Sequence, residues 1–321
     1  MIEPIDHRPP PPLRGFWYFL RCKARRLPVL LNLEFTKHCN ARCTFCSCWQ
    51  LESKGELSDY APIVKKFRPV VVSVSGGEPL LRKDYPELLR GIRPWCHYLA
   101  IITNGALLNK DSARSMVEAG VDQICVSLDY LGEKHDEARR VNGLYEHIAE
   151  TVPALTKAGY RIALNTVIME SNLDEILPIA YRAKEWGAMV SFSAYCSLKR
   201  DDDDEMIRSA RYTQLVGIVD EIRRLKKSMG HIKNSDYYLK KLPGYFRDGF
   251  VPHCKAGYRW LQVTPDGYLQ QCSELPRICS YEDFSRRMLK KPACAKCWYT
   301  CRGEAQASPL RPQRLLELIR A

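Results

Sequence analysis

The sequence predicts an α/β protein built on a parallel sheet, on three observations. Six short β-branched runs alternate with helical stretches between residue 29 and about residue 228. Runs such as VVVSVS at 70–75 are apolar almost throughout, as strands buried on both faces are. After residue 229 the alternation stops and the chain turns rich in cysteine. Six βα units in a row give either a curved partial barrel or an open doubly wound sheet. Periodicity does not choose between the two.

Taken in order, residues 1–28 form a basic, aromatic extension. A run of prolines (Pro9 to Pro12) precedes Phe16-Trp17-Tyr18-Phe19-Leu20, set among Arg14, Arg21, Lys23, Arg25 and Arg26. The expected strands are 29–35, 70–75, 98–102, 123–128, 161–168 and 189–196, with helices near 58–67, 84–93, 110–119, 145–158, 173–186 and 211–228. Asp111, Ser112 and Asn172 offer N-cap chemistry, and Gly120, Gly159 and Gly187 fit helix exits. The acidic run Asp201–Asp204 suits a solvated loop at a helix N-terminus better than a cation site. Residues 229–253 read as a linker or irregular cover. Within 254–305 the Asp266-Gly267 pair marks a hairpin between 260–263 and 268–271, followed by a short helix near 281–290. A tail helix is expected over 306–321.

The 321 residues exceed an average domain and suffice for one large α/β unit with an appendage. No apolar run approaches the roughly 18 residues of a membrane span, and the N-terminus lacks a secretory layout. Both point to the reducing cytosol. There, fourteen cysteines suggest metal or redox chemistry more than a disulfide framework. Nine of them cluster: Cys39, Cys43 and Cys46, then Cys254, Cys272, Cys279, Cys294, Cys297 and Cys301. Cys22, Cys48, Cys96, Cys125 and Cys196 are scattered and read as small buried hydrophobes, Cys48 least securely because it adjoins the first cluster. The net charge of +12 is concentrated in the N-terminal extension and in Arg286, Arg287, Lys290 and Lys291. Solvated faces explain such patches, and an anionic membrane surface or an acidic substrate is the alternative. No RNA-recognition or helix-turn-helix signature supports a nucleic-acid partner.

The strongest motif is Cys39-Asn-Ala-Arg-Cys43-Thr-Phe-Cys46, directly after the first strand. Thiolates are the usual ligands of a 4Fe–4S cluster. Three of them leave one iron open, as a catalytic metal site requires. Zinc fits poorly, since no fourth ligand stands at finger spacing and His38 adjoins Cys39. Ligand sites in parallel α/β proteins lie at the carboxyl ends of strands. There the first four strands bring the cysteine loop, Gly76-Gly77-Glu78-Pro79, Thr103-Asn104-Gly105, and Ser127 with Asp129 to one rim. The glycines permit close backbone approach to a ligand, and Glu78 could accept hydrogen bonds from an ammonium.

The CxxxCxxC loop, Phe45 before its last cysteine, and Gly76-Gly77-Glu78-Pro79 after the second strand resemble the radical S-adenosylmethionine (SAM) superfamily. The resemblance covers about residues 29–225 and implies a partial (β/α)6 TIM-like barrel with a core over 29–228. It implies a catalytic 4Fe–4S cluster on Cys39, Cys43 and Cys46 whose open iron chelates SAM, and reductive cleavage to a 5′-deoxyadenosyl radical. SAM contacts are then expected from Phe45, Gly76, Gly77, Glu78, Pro79, Asn104, Ser127 and Asn165, with Arg139 or Arg140 on the SAM carboxylate.

The later cysteines resemble the auxiliary-cluster extension called SPASM, or its shorter Twitch form. The resemblance implies a small cysteine-rich C-terminal auxiliary-cluster domain whose 4Fe–4S cluster is held by Cys254, Cys272, Cys294 and Cys297. The full pattern carries more cysteines after the CxxC. Here only Cys301 follows, so one auxiliary cluster is expected, with Cys301 or Cys279 as substitutes. A zinc ribbon is the structural alternative. The implied activity is hydrogen abstraction from a peptide or small molecule, with an electron donor such as flavodoxin or ferredoxin as partner. A lipid or isoprenoid substrate at a membrane surface is the first alternative, suggested by the 16–26 segment. A non-catalytic iron–sulfur or zinc adaptor is the second. No catalytic acid, base or radical-quenching residue is fixed; Tyr130, Tyr195 and Cys196 stand near strand ends.

Overall fold

A computed structural model describes residues 2–308 together with 310 and 314. Chain order is helix α1 (Pro12–Ala24), β1 (Leu30–Thr36), α2 (Ala61–Phe67), β2 (Val71–Gly76), α3 (Tyr85–Ile92), β3 (Tyr98–Thr103), α4 (Lys110–Glu118) and β4 (Gln123–Ser127). There follow α5 (Glu133–Arg139), α6 (Leu144–Lys157), β5 (Ile162–Ile168), α7 (Ile176–Glu185), β6 (Met189–Ala194), α8 (Tyr212–Met229) and α9 (Asp236–Asp248). The described part ends with β7 (Trp260–Val263), β8 (Tyr268–Gln270), β9 (Arg277–Ser280) and α10 (Thr300–Gln306). Among the described residues no helix is long and apolar enough to cross a membrane.

Strand order resolves the choice that periodicity left open. The sheet runs β6-β5-β4-β3-β2-β1-β7-β8-β9, with every pair from β6 to β1 parallel. A doubly wound sheet reverses its strand order partway. Here each crossover steps the same way, and right-handed crossovers then put the helices that connect these strands on one face. The helix-facing side is the main core, with Leu31, Leu33, Phe35, Val72, Val74, Ile124, Val126 and Phe192 fully buried. Because strand side chains alternate, the opposite face carries Asn32, Glu34, Ser73, Ser75, Ser127, Asn165, Ser191 and Ser193. This is the polar concave side of a partial barrel.

At the first edge, β7 pairs in parallel with β1 (Leu30 opposite Trp260), so the hairpin extends the barrel sheet itself. At the other edge the expected linker is in fact structured. Ile232 bridges Val190, Asn234 exchanges amide hydrogen bonds with the Phe192 backbone, and the Tyr238 hydroxyl accepts from Ala194 N at 2.8 Å. The edge of β6 is thus covered rather than left to pair with another chain. Helix α9 starts on an Ser235 side-chain cap to Tyr238 N and buries Tyr238, Leu239, Leu242, Tyr245 and Phe246. Lys, Tyr, Gly and Pro among these residues mask that apolar spacing in the sequence.

Three further expectations change. Asn109, not Asp111, caps α4, accepting from the Asp111 and Ser112 amides, while Ser112 completes the reciprocal pair. Fully buried Asn172 caps no helix by its side chain; it accepts from Met169 N and donates to Asp129 O and Val167 O. The helix expected near 281–290 is a single 3₁₀ turn at Arg286–Met288, preceded by β9. The tail helix over 306–321 lies almost wholly outside the described residues.

Candidate functional site

The cysteine loop leaves β1 and is clamped from two sides. On one side Thr36 O accepts from Gly77 N and His38 O from Glu78 N, each at 2.8 Å. The approach is so close that a Cβ at Gly76, where φ is +135°, would stand 2.2 Å from Thr36 O, and one at Gly77 2.1 Å from His38 O. The two glycines therefore admit the cysteine loop's own backbone. Glu78 follows at the start of a short buried turn. Its fully buried carboxylate accepts from Leu80 N, Thr103 Oγ1 and Asn104 N at 3.1, 2.8 and 2.7 Å. Burial pushes its pKa up, opposed by these donors. Pro79 follows in a buried turn, and Asn104 donates its side-chain amide to Asn40 Oδ1 at 2.7 Å.

On the other side Arg42 N and Thr44 N donate to the carbonyls of Arg139 and Ala138, at the end of α5. Arg139 is buried and places Nε and Nη2 on Asp129 Oδ2 at 3.1 and 2.5 Å. Asp129 is held in turn by Val167 N at 2.9 Å. The guanidinium also lies 5.6 Å from the Phe45 ring and points Nη1 at Cys43 Sγ, 3.9 Å away. Burial opposes its charge, but Asp129 and the Cys43 sulfur outweigh burial and raise its pKa. Arg139 thus reaches the cysteine loop, while Arg140 is exposed at the helix exit. Phe45 packs with Tyr130, Met169 and Tyr195. Ser127 and Asn165 face each other across β4 and β5, half-buried on the barrel's concave side. Asp202 of the acidic run accepts from the Tyr195 hydroxyl at 2.8 Å and pairs with Arg200.

The second set gathers at the β1–β7 seam. Cys254, Cys272, Cys294, Cys297 and Cys301 line one cavity, whose wall includes Asn32 of β1 and Gln262 of β7 from the barrel's concave face. Cys279 lies on β9 outside that cavity, so Cys301 alone of the two suggested substitutes is positioned there. Arg302, which the sequence reading missed, is buried over the Trp298 ring. It donates to Cys297 O at 2.5 Å and reaches Cys297 Sγ at 3.7 Å. The signal for it was only its position, directly after Cys301.

The two cysteine sets meet across Lys199. Its ammonium is 3.3 Å from Glu274 Oε1, on the wall of the second cavity, and 3.9 Å from Cys48 Sγ, beside the first loop. Cys48 also donates its amide to Cys46 Sγ, and a thiol hydrogen bond from Cys48 lowers the Cys46 pKa to about 7. Cys48 is therefore part of the loop's surroundings, whereas Cys22, Cys96, Cys125 and Cys196 are buried as expected.

This donor chemistry fits thiolate-bound clusters. Each set presents half-buried cysteines, with Cys297 alone among these ligand candidates buried, and one buried guanidinium aimed at a sulfur, a cation suited to an anionic metal–thiolate group. Among the described residues no three His, Cys, Asp or Glu side chains converge as a single-ion site.

Residues 33–181 match the model of the Radical SAM superfamily. The chain is 30% identical over 281 residues to the GTP 3′,8-cyclase of Aquifex aeolicus, covering 78% of this chain and 83% of that one. It is 29% identical over 279 residues to the AdoMet-dependent heme synthase of Methanosarcina barkeri, covering 78% of each. Its fold resembles Streptococcus suis SuiB bound to S-adenosylmethionine, with a TM-score of 0.67 at 15% identity over 86% of this chain and 69% of that one. It also resembles anSMEcpe bound to AdoMet and a peptide, with a TM-score of 0.62 at 17% identity over 81% and 79% of the two chains. With the cysteine loop at the end of β1 and its clamp from β2 and α5, these likenesses agree: the chain belongs to the radical SAM superfamily.

Proposed function

We propose that this enzyme carries two iron–sulfur clusters and abstracts a hydrogen atom from a polar substrate bound between them. Enzymes of the superfamily use a 4Fe–4S cluster and SAM, and they require an electron donor. When bound, these cofactors supply the reducing electron and the 5′-deoxyadenosyl radical. In this reading Cys39, Cys43 and Cys46 hold the catalytic cluster. Cys254, Cys272, Cys294 and Cys297 hold the auxiliary one, with Cys301 beside them as a competing ligand. The core spans 29–228 and the auxiliary unit 254–305, and a flavodoxin or ferredoxin is the donor.

The observation that carries the reading is the seam, where Lys199 touches the surroundings of both cysteine sets and Asn32 and Gln262 open the second cavity onto the barrel's concave face. Asn104, Ser127 and Asn165 supply the polar groups for SAM at the rim. Gly76, Gly77, Glu78 and Pro79 act by shaping the cysteine loop. Phe45 and Arg139 fix its far side, Arg139 chiefly through Cys43. The concave face, lined by serine and asparagine, suits a small polar molecule or a peptide segment. The printed names of the sequence relatives, a GTP cyclase and a heme synthase, favour the small molecule.

Anaerobic reconstitution followed by dithionite and SAM tests this. The expected result is two four-iron clusters per chain and formation of 5′-deoxyadenosine. Cys43→Ala abolishes that product, and Cys297→Ala leaves uncoupled cleavage partly intact. Intact SAM in the reconstituted wild type would instead support an adaptor role.

A further inference from the structure

Helix α1 is apolar on two opposite faces, and only one of them is covered. Gly15, Phe19 and Cys22 form the inner face: Gly15 sits against the His97 ring, and Phe19 and Cys22 are buried. At about 100° per residue, Leu13, Phe16, Trp17, Leu20 and Ala24 share the face directly opposite. Leu13 is 68% exposed, Trp17 63% and Phe16 42%. A helix on a water-facing surface carries polar residues there.

The flanks of this outer face are basic. Arg14 and Arg21 border it on one side and Lys23 on the other, with Arg25 and Arg26 just past its end. Between Pro9 and Pro28 there is no acidic residue. A Trp–Phe–Leu stripe between cations, lying flat on the molecule, is the pattern of a helix seated in a bilayer interface.

We infer that α1 docks the enzyme onto an anionic lipid surface. The helix enters the headgroup region with Leu13, Phe16 and Trp17, while Arg14, Lys23, Arg25 and Arg26 meet the lipid phosphates. A protein partner would have to supply an apolar groove ringed by acids; a bilayer offers both features over any area.

The position of α1 determines which way the barrel faces. Arg21 donates to the carbonyls of Phe67 and Arg68, and Cys22 to Arg68 O, all just before β2. Tyr18 packs on His97, just before β3. The preceding residues continue the strap: Ile5 N donates to Ala158 O, and His7 bonds Val121 O and Arg161 N, just before β4 and β5. Every one of these contacts is at the amino ends of the strands, whereas the cysteine loop leaves a carboxyl end. The helix is therefore an anchor at the far pole, and the rim opens to water. This separates membrane docking from a lipid substrate, and it does not rest on the function proposed above.

The test is co-sedimentation of the full chain with phosphatidylcholine vesicles, with and without phosphatidylglycerol. Binding is expected with phosphatidylglycerol, weakened by salt. F16S/W17S lowers partitioning by about tenfold or more. R14Q/K23Q/R25Q/R26Q does so on the anionic vesicles only, and both variants keep the wild-type rate of 5′-deoxyadenosine formation. The inference is overturned if the wild type binds neither vesicle or if both variants bind undiminished. It is also overturned if sedimentation velocity shows a dimer that F16S/W17S dissolves, since a second copy then covers the face. The charge variant leaves the apolar contacts of α1 in place and keeps the test valid should the double serine variant misfold.

Discussion

Arg302 has no carboxylate partner among the described residues. Its guanidinium is spent on the carbonyls of Val251, Pro252, Ala295 and Cys297, on Gln306 and on the Cys297 sulfur. A buried cation so placed needs an anion, and a thiolate-bound cluster supplies one. Arg302→Met should therefore lower iron retention at the second site while the first keeps its four irons, read by iron analysis and EPR. The freed carbonyls add a stability loss of about 1–3 kcal/mol each at most. His97 makes a second prediction at this scale. Burial, then the nearby Arg14 and Arg93, push its pKa down to about 4 from an ordinary 6.5. A depressed histidine contributes stability that is present above its unfolded pKa and lost as pH falls through the window from 6.5 to 4. Glu78, Asp122 and Glu304, whose pKa values are raised, act in the opposite sense, so the comparison must be made against a variant. The wild type should lose denaturant midpoint relative to His97→Gln as pH falls across that window.

Elements differ in how far the sequence discloses them. The six barrel strands were legible because their apolar alternation is local, and observed ends fall within two residues of expectation. Helix α5 was not, since EKHDEAR has no apolar stripe; its worth lies in the Ala138 and Arg139 carbonyls it offers the cysteine loop. Helix α9 was obscured by Lys240, Lys241, Pro243 and Gly244, although its Ser235 cap stood in plain view. Ser235→Ala should cost about 1 kcal/mol, the usual value of such a cap, measured by urea denaturation. The cysteine motifs were legible as ligand types. Their roles beyond that required the fold: Glu78 turned inward, Cys279 away from the cavity, and Arg302 into the gap beside Cys297.

At the scale of the molecule, β7, β8 and β9 continue the barrel sheet beyond β1. Residue spacing alone could not disclose this, because the pairing of β7 with β1 is a contact between distant parts of the chain. A chain ending at residue 253 would leave β1 with an unpaired edge and the seam without Glu274. Such a truncation should associate through that edge rather than persist as a monomeric core, as light scattering after purification would show. Retained monomer with normal SAM cleavage would contradict this.

The pairing of Leu30 with Trp260 spans 230 residues of chain. During synthesis the strand that leads into the Cys39–Cys46 loop emerges 230 residues before its second neighbour. Closing so long a span is slow, since its entropy must be lost before the contact repays it. A growing chain therefore holds Cys39, Cys43 and Cys46 in a loop after a strand with one side bare, and the pairing with β7 both seals that side and brings the second thiol group alongside. Arrival of β7 and readiness of both cysteine sets to receive iron are, in this architecture, one event.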